Sequence, residues 1–310
     1  MRSDPMSDDH KHKVFAVPPL ARHADLTLNR AANAALIRHI EAGGVRALMY
    51  GGNANFYNIG LYEYAGVVDQ LMELAAPGTW VIPSVGPDFG KMMDQAEVLR
   101  SRPLPTAMVL PASAAFSENG VESGLRRFAD RLGKPFILYL RAEAYLSPAG
   151  IERLVKDKLV KAIKYGITRE DPRRDDYLRE LIQRVGAEMI ISGMGERPAI
   201  VHLGEFGLPS FTSGAVCIAP RLSVALLQAM QRGDLKTAER LRAVFMPLED
   251  CRDAYNPVRV LHDAVTMSGI ADMGPVLPLL GNLEAAHHDK VRDAARLLLA
   301  LNDRPLSESA

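Results

Sequence analysis

Three sets of residues in this 310-residue chain are of types and spacings that could act on a carbonyl compound. Lys164 lies in LVKAIKY (159–165). Side chains alternate along a strand, so Val160, Ala162 and Lys164 share one face while Lys161 and Ile163 share the other. With the first face turned inward, the ammonium is desolvated, its pKa falls, and the neutral amine can attack a carbonyl to form a Schiff base. Tyr139 stands near the end of PFILYL (135–140), one strand earlier. A phenol near an amine can relay the protons that carbinolamine formation and dehydration require. The turn GGNAN (51–55) exposes backbone N–H groups able to hold a carboxylate or a phosphate, and no GK[ST] follows to make it a P-loop. Position alone does not separate these from a surface lysine, a packing tyrosine and a tight turn.

The elements that must position them follow from hydrophobic patterning. Eight short apolar runs rich in β-formers recur: VFAV from Val14, RALMYG (46–51), TWVIPSV (79–85), TAMVLP (106–111), PFILYL, LVKAIKY, EMIISG (188–193) and SFTSGAV (210–216). Between them lie helical patterns over 28–42, 61–75, 91–101, 121–132, 148–156, 173–185 and 197–205, with Ser147–Pro148 as a start signal and Gly43, Gly44 and Gly133 as stops. This alternation predicts an α/β protein, a (β/α)8 TIM barrel over 13–232, after a disordered leader at 1–12. Helical periods over 221–231, 234–250, 255–268 and 286–301 give the last barrel helix and a C-terminal helical region, 233–310. In such a barrel the active groups gather at the C-terminal ends of the strands, which adds Gly193 and Thr212 to Gly52, Asn53, Asn55, Tyr139 and Lys164.

Composition excludes several alternatives. Lysine plus arginine equals aspartate plus glutamate at 37 each, so no basic excess is available for a nucleic acid. Cys217 and Cys251 lack zinc-site spacing and read as buried small hydrophobes in a reducing compartment. No apolar stretch has the length of a membrane span or of a signal peptide, which predicts a cytoplasmic protein. SGMGERP (192–198) lacks the third glycine of a dinucleotide fingerprint, and the strand ends offer no convergent His, Asp or Glu. Neither a cofactor nor a metal is expected.

Taken together, the segments resemble the dihydrodipicolinate synthase/N-acetylneuraminate lyase family. GGVRALMYGGNAN is similar to its strand-two segment ending in GTTGE, FILYLRAEAYLSPAGIERLV to its tyrosine strand and following helix, and LVKAIKYG to its Schiff-base lysine segment. QRGDLKTAERL, then YNPVRVLHDAVTMSG and MGPVLPL, resemble its C-terminal helices. The resemblance implies a class I mechanism on pyruvate or another 2-oxo acid. Lys164 would form the imine, Tyr139 would shuttle protons, backbone amides near Gly52 and Asn53 would hold the carboxylate, and the chain would form a homo-oligomer, a tetramer or a dimer. The departures are specific. Gly52, Asn53 and Asn55 replace the threonines and glutamate of GTTGE, Ala112 and Ser113 stand where a tyrosine pair is common, and Ala144 occupies the place of the synthases' arginine, with Arg141 out of register. They point away from a genuine dihydrodipicolinate synthase and, through Asn53, Asn55 and Tyr57, toward a hydroxylated second substrate. A catalytically inert member that binds a small carboxylate is the alternative.

Overall fold

The computed structural model describes residues 10–112 and 115–305. The first nine residues, Ser113 and Ala114, and the last five residues lie outside the described residues. His10 to His12, which composition groups with the leader, instead form a turn against the barrel. His10 is buried, its Nε2 lies 2.7 Å from the Glu188 carbonyl, and its own carbonyl accepts from Ser210 Oγ at 2.6 Å.

Eight parallel strands close a barrel in sequence order: β1 (Val14–Ala16), β2 (Ala47–Tyr50), β3 (Trp80–Val85), β4 (Met108–Val109), β5 (Phe136–Leu140), β6 (Val160–Tyr165), β7 (Ile190–Ser192) and β8 (Ser210–Ser213). Their buried positions are mostly β-branched, aromatic or aliphatic, which suits a sheet covered on both faces. Register sets the site. Tyr139 of β5 lies beside Lys164 of β6, and Lys164 beside Ile191 of β7. The following residue, Tyr165, points to the other side, where its hydroxyl donates to Asp175 Oδ2 at 2.7 Å.

The outer helices are α1 (Arg30–Ala42), α2 (Leu61–Leu74), α3 (Phe89–Arg100), α4 (Glu118–Leu132), α5 (Pro148–Lys156), α6 (Asp176–Val185), α7 (Ala199–Gly204) and α8 (Pro220–Gln231). Ser147 caps α5 through Gly150 N–H at 3.1 Å, with Pro148 in the first turn, and Gly133 ends α4 at φ +73°. The 173–185 pattern begins late because Asp175 is the N-cap of α6, accepting from Leu178 N–H.

Three further helices follow: α9 (Leu235–Ala254), α10 (Pro257–Ser268) and α11 (His288–Asp303). The expected stop near 250 is displaced, because α9 runs on to Ala254 with Pro247 inside it. Phe245, Leu248, Glu249 and Arg252 are all buried, a spacing of three to four that places them on one face of α9. Asn256 then caps α10, accepting from Val258 and Arg259 N–H groups. No described helix is long and apolar enough to cross a membrane.

Candidate active site

A cavity of about 270 Å³ opens at the C-terminal ends of the strands, and Lys164 and Tyr139 line it together with Gly52, Asn53, Gly193 and Thr212. The strand geometry brings the amine onto the aromatic ring: Lys164 Nζ lies 4.3 Å from the Tyr139 ring centroid. Lys164 is 6% exposed. Burial pushes its ammonium down to about 7, and the charges of Arg141 and Arg252 act in the same direction. Measured against an ordinary lysine, that is on the order of 5 kcal/mol against the charged form. The Tyr139 ring opposes this, since an ammonium over a π-face is worth up to about 2 kcal/mol when desolvated. The result is an amine partly neutral at physiological pH. The Tyr139 phenol is pushed up to about 12, by burial first, so it carries its proton at neutral pH and can donate it.

Two glycines make room for this pair. A Cβ on Gly166 would lie 2.8 Å from Tyr139 Cε2. One on Gly193 would lie 2.6 Å from the Tyr165 carbonyl and 3.1 Å from Lys164 Cγ. Gly193 therefore acts by steric absence at the lysine stem, while its N–H is already given to the Tyr165 carbonyl at 2.6 Å.

After β2 the chain makes a short 3-10 turn over Gly52–Ala54. Its first hydrogen bond runs from Ala54 N–H to the Gly51 carbonyl, so the N–H groups of Gly52 and Asn53 precede it and make no bond within the turn. Asn53 itself donates from Nδ2 to the Val17 carbonyl at 2.8 Å. Asn55 is not brought into the cavity. It adopts a left-handed backbone at φ +54°, a conformation asparagine tolerates, and its Nδ2 donates to the Leu277 carbonyl at 2.6 Å while Oδ1 accepts from Asn58. Its buried amide fastens the turn to the 277 loop, so a substrate role for Asn55 is withdrawn. Tyr57 belongs with the site through Arg141, whose positive charge reaches its phenol.

Four further charged residues line the cavity: Arg141, which the sequence set aside as out of register, and three that it did not single out. Arg141 follows β5 directly and acts on Lys164, Tyr139 and Tyr57, although it is not at the spacing from Tyr139 that the synthases use. Glu249, Arg252 and Asp253 arrive from the last turns of α9. Arg252 Nη1 donates to Glu249 Oε1 at 2.7 Å, both side chains being buried. Behind them, Glu196 accepts from Ser223 Oγ at 2.7 Å, and its other carboxyl oxygen is buried with no partner. Burial and the neighbouring Glu249 push Glu196 up to about 7. A larger cavity of about 430 Å³ adjoins the first, sharing Thr168, Met194, Glu249 and Asp253 with it. Both cysteines are buried and free.

Comparison with known proteins agrees with this geometry. The protein named probable 5-dehydro-4-deoxyglucarate dehydratase 2 from Streptomyces avermitilis is 24% identical over 246 residues, covering 77% of this chain and 72% of its own. The 4-hydroxy-tetrahydrodipicolinate synthase of Hyphomonas neptunium is 25% identical, covering 89% of this chain and 94% of its own. Among solved structures, a prophage protein of the dihydrodipicolinic acid synthase family from E. coli K12, in complex with pyruvate, superposes with a TM-score of 0.78 at 20% identity, covering 92% of this chain and 98% of that one. Residues 12–297 match the Dihydrodipicolinate synthetase family. The chain, barrel and lysine strand alike, belongs to the dihydrodipicolinate synthetase family.

Proposed function

We propose that this family member is a Schiff-base-forming lyase that acts on pyruvate or another 2-oxo acid through Lys164. The observation that carries the reading is the buried amine of Lys164, lowered to about 7 and seated on the Tyr139 ring at the mouth of the barrel. The neutral amine adds to the 2-oxo carbon, Tyr139 passes a proton to the departing oxygen, and water leaves as the imine forms. The imine draws electrons from C3, so loss of a C3 proton gives an enamine. From there a hydroxide at C4 can leave with a proton as water, or C3 can attack an aldehyde to form a C3–C4 bond; in the reverse direction the imine of a 4-hydroxy acid loses its C4 hydroxyl proton, the C3–C4 bond breaks, and an aldehyde departs to leave the same enamine. Hydrolysis of the imine returns Lys164. The amides of Gly52 and Asn53 supply donors for the 2-oxo acid's carboxylate.

Relatives named as dehydratases, and the loss of the threonine hydroxyls from the strand-two turn, favour dehydration of a hydroxylated 2-oxo acid over the synthase reaction. Purified protein is expected not to condense pyruvate with aspartate semialdehyde at a rate typical of enzymes. The second reading, an inert barrel that only binds a small carboxylate, is favoured by the commitment of Asn53 and Asn55 to structural bonds. Borohydride reduction in the presence of 2-oxo acids separates the two. An adduct that disappears in Lys164→Ala supports the lyase, and its absence from an intact wild-type protein supports the binder.

A further inference from the structure

Arg252 is a charged side chain lodged in the catalytic cavity by a helix outside the eight β/α units. It is 9% exposed, lines the same cavity as Lys164, and its charge reaches the Lys164 ammonium. Two contacts fix it from behind: Nη1 donates to Glu249 Oε1 at 2.7 Å, and Nε to the Pro257 carbonyl at 3.4 Å. Nη2 has no hydrogen-bond partner among the described residues. It lies beside the bare Cα of Gly214, where a Cβ would stand 2.8 Å from it. A glycine at that point gives the guanidinium its space in the cavity. A buried guanidinium fixed at Nε and Nη1, with its Nη2 amino group left without a partner, keeps a charged donor for an anion in the cavity.

The charges around it support the same occupant. Lys164, Arg141 and Arg252 line the cavity with Glu249 and Asp253, but Asp253 is also paired outward with Arg197 at 3.0 Å and Glu249 with Arg252. The 2-oxo acid's own carboxylate is provided for at the Gly52–Asn53 turn, so the Arg252 donor remains for a different group. The adjoining cavity, which shares Thr168 and Met194, offers space for a substrate longer than pyruvate.

Resting on the imine at Lys164, we propose that Arg252 binds a second carboxylate on the substrate, so that this chain takes a 2-oxo diacid in preference to a 2-oxo monoacid of the same length. The test compares 2-oxoadipate with 2-oxohexanoate, six-carbon acids that differ in the terminal carboxylate, together with pyruvate. Each is titrated against the full chain under borohydride, and the reduced adduct is read by intact mass.

Wild type is expected to reach half-trapping at a concentration of 2-oxoadipate at least about tenfold below that of 2-oxohexanoate, equivalent to about 1.4 kcal/mol. In the charge-neutral pair Arg252→Met with Glu249→Gln that ratio falls to about one, and in Arg252→Lys, which keeps the charge and loses the fork, it lies between. Taking the ratio within each variant cancels any change in Lys164 itself, and the wild-type ratio decides the matter even where a variant fails to fold. Equal trapping of the two six-carbon acids by wild type, or a ratio unchanged in the variants, overturns the role of Arg252 while leaving the imine in place. Trapping of pyruvate with neither six-carbon acid does the same. Failure of all three acids to be trapped removes both the imine and this inference.

Discussion

The β5–β6 pair and the end of α9 deliver charged or polar groups to one cavity by opposite routes. On β5 and β6, Tyr139 and Lys164 are neighbours in register, and the strand period alone turns both inward. On α9, Glu249 and Arg252 reach the cavity only because the helix passes Pro247 and continues to Ala254. The strand pair supplies a buried amine of lowered pKa, and the helix end supplies charges around it. A barrel strand constrains its residues locally, so its chemistry can be read from a few neighbours. A helix that closes over the barrel mouth is placed by tertiary packing, and its contribution depends on where it stops.

The largest effect is expected at Tyr139. With the phenol removed in Tyr139→Phe, loss of a proton relay is expected to slow imine formation by roughly 10²–10⁴-fold, measured as the rate of borohydride-trapped adduct. An unchanged rate would move the relay elsewhere, with Tyr57 and Arg141 as the first places to look.

Next in size is Gly193→Ala. A Cβ 2.6 Å from the Tyr165 carbonyl and 3.1 Å from Lys164 Cγ must displace backbone or the lysine stem, which costs about 1–3 kcal/mol of stability for overpacking of this kind. Thermal unfolding measures the cost, and the trapping rate should fall with it.

Stability against pH probes the amine separately. The unfolded chain holds the Lys164 proton up to about pH 10.4, whereas the folded chain releases it near 7. Between these values the unfolded state binds more protons, so this group makes stability rise with pH, and its full penalty applies below 7. Lys164→Met should therefore stabilise the protein by about 2 kcal/mol at pH 6, after allowing for the lost contact with the Tyr139 ring, and by progressively less toward pH 10. A variant less stable than wild type at pH 6 would contradict a desolvated ammonium.

The smallest effects concern the charges around the amine and behind the cavity. Arg141→Ala removes the larger of the two charges pressing on Lys164, so the midpoint of the trapping pH profile should move up from about 7. Glu196 titrates in the reverse sense. Its folded value is raised to about 7, so its contribution to stability is present below the ordinary glutamate range and is lost as pH rises through 7. Glu196→Gln should be neutral at pH 4 and more stable than wild type by about 1–2 kcal/mol at pH 8, read by denaturant unfolding at the two values.

The barrel itself was legible because each strand carries its own β-forming run, and Lys164 and Tyr139 stand near the ends of two of them. Gly52, Asn53, Gly193 and Thr212 were legible as strand-end residues, although Gly193 serves by lacking a side chain rather than by binding. Asn55 misled because its type suits a ligand contact, while its left-handed backbone and its bond to the Leu277 carbonyl, 222 residues away, are long-range facts. Arg252 was hidden for a simpler reason. A helical period ending near 250 leaves it in a loop, and nothing local shows that packing on the barrel carries α9 past that point.

Borohydride trapping of pyruvate on the full chain across pH 5 to 9, with the modified residue located by peptide mass, probes Lys164 itself. A single adduct is expected on Lys164, with formation that rises with pH and levels off above about 7 as the amine loses its proton. An adduct on another lysine, or trapping that still climbs steeply above pH 9 as for an exposed amine, would contradict it.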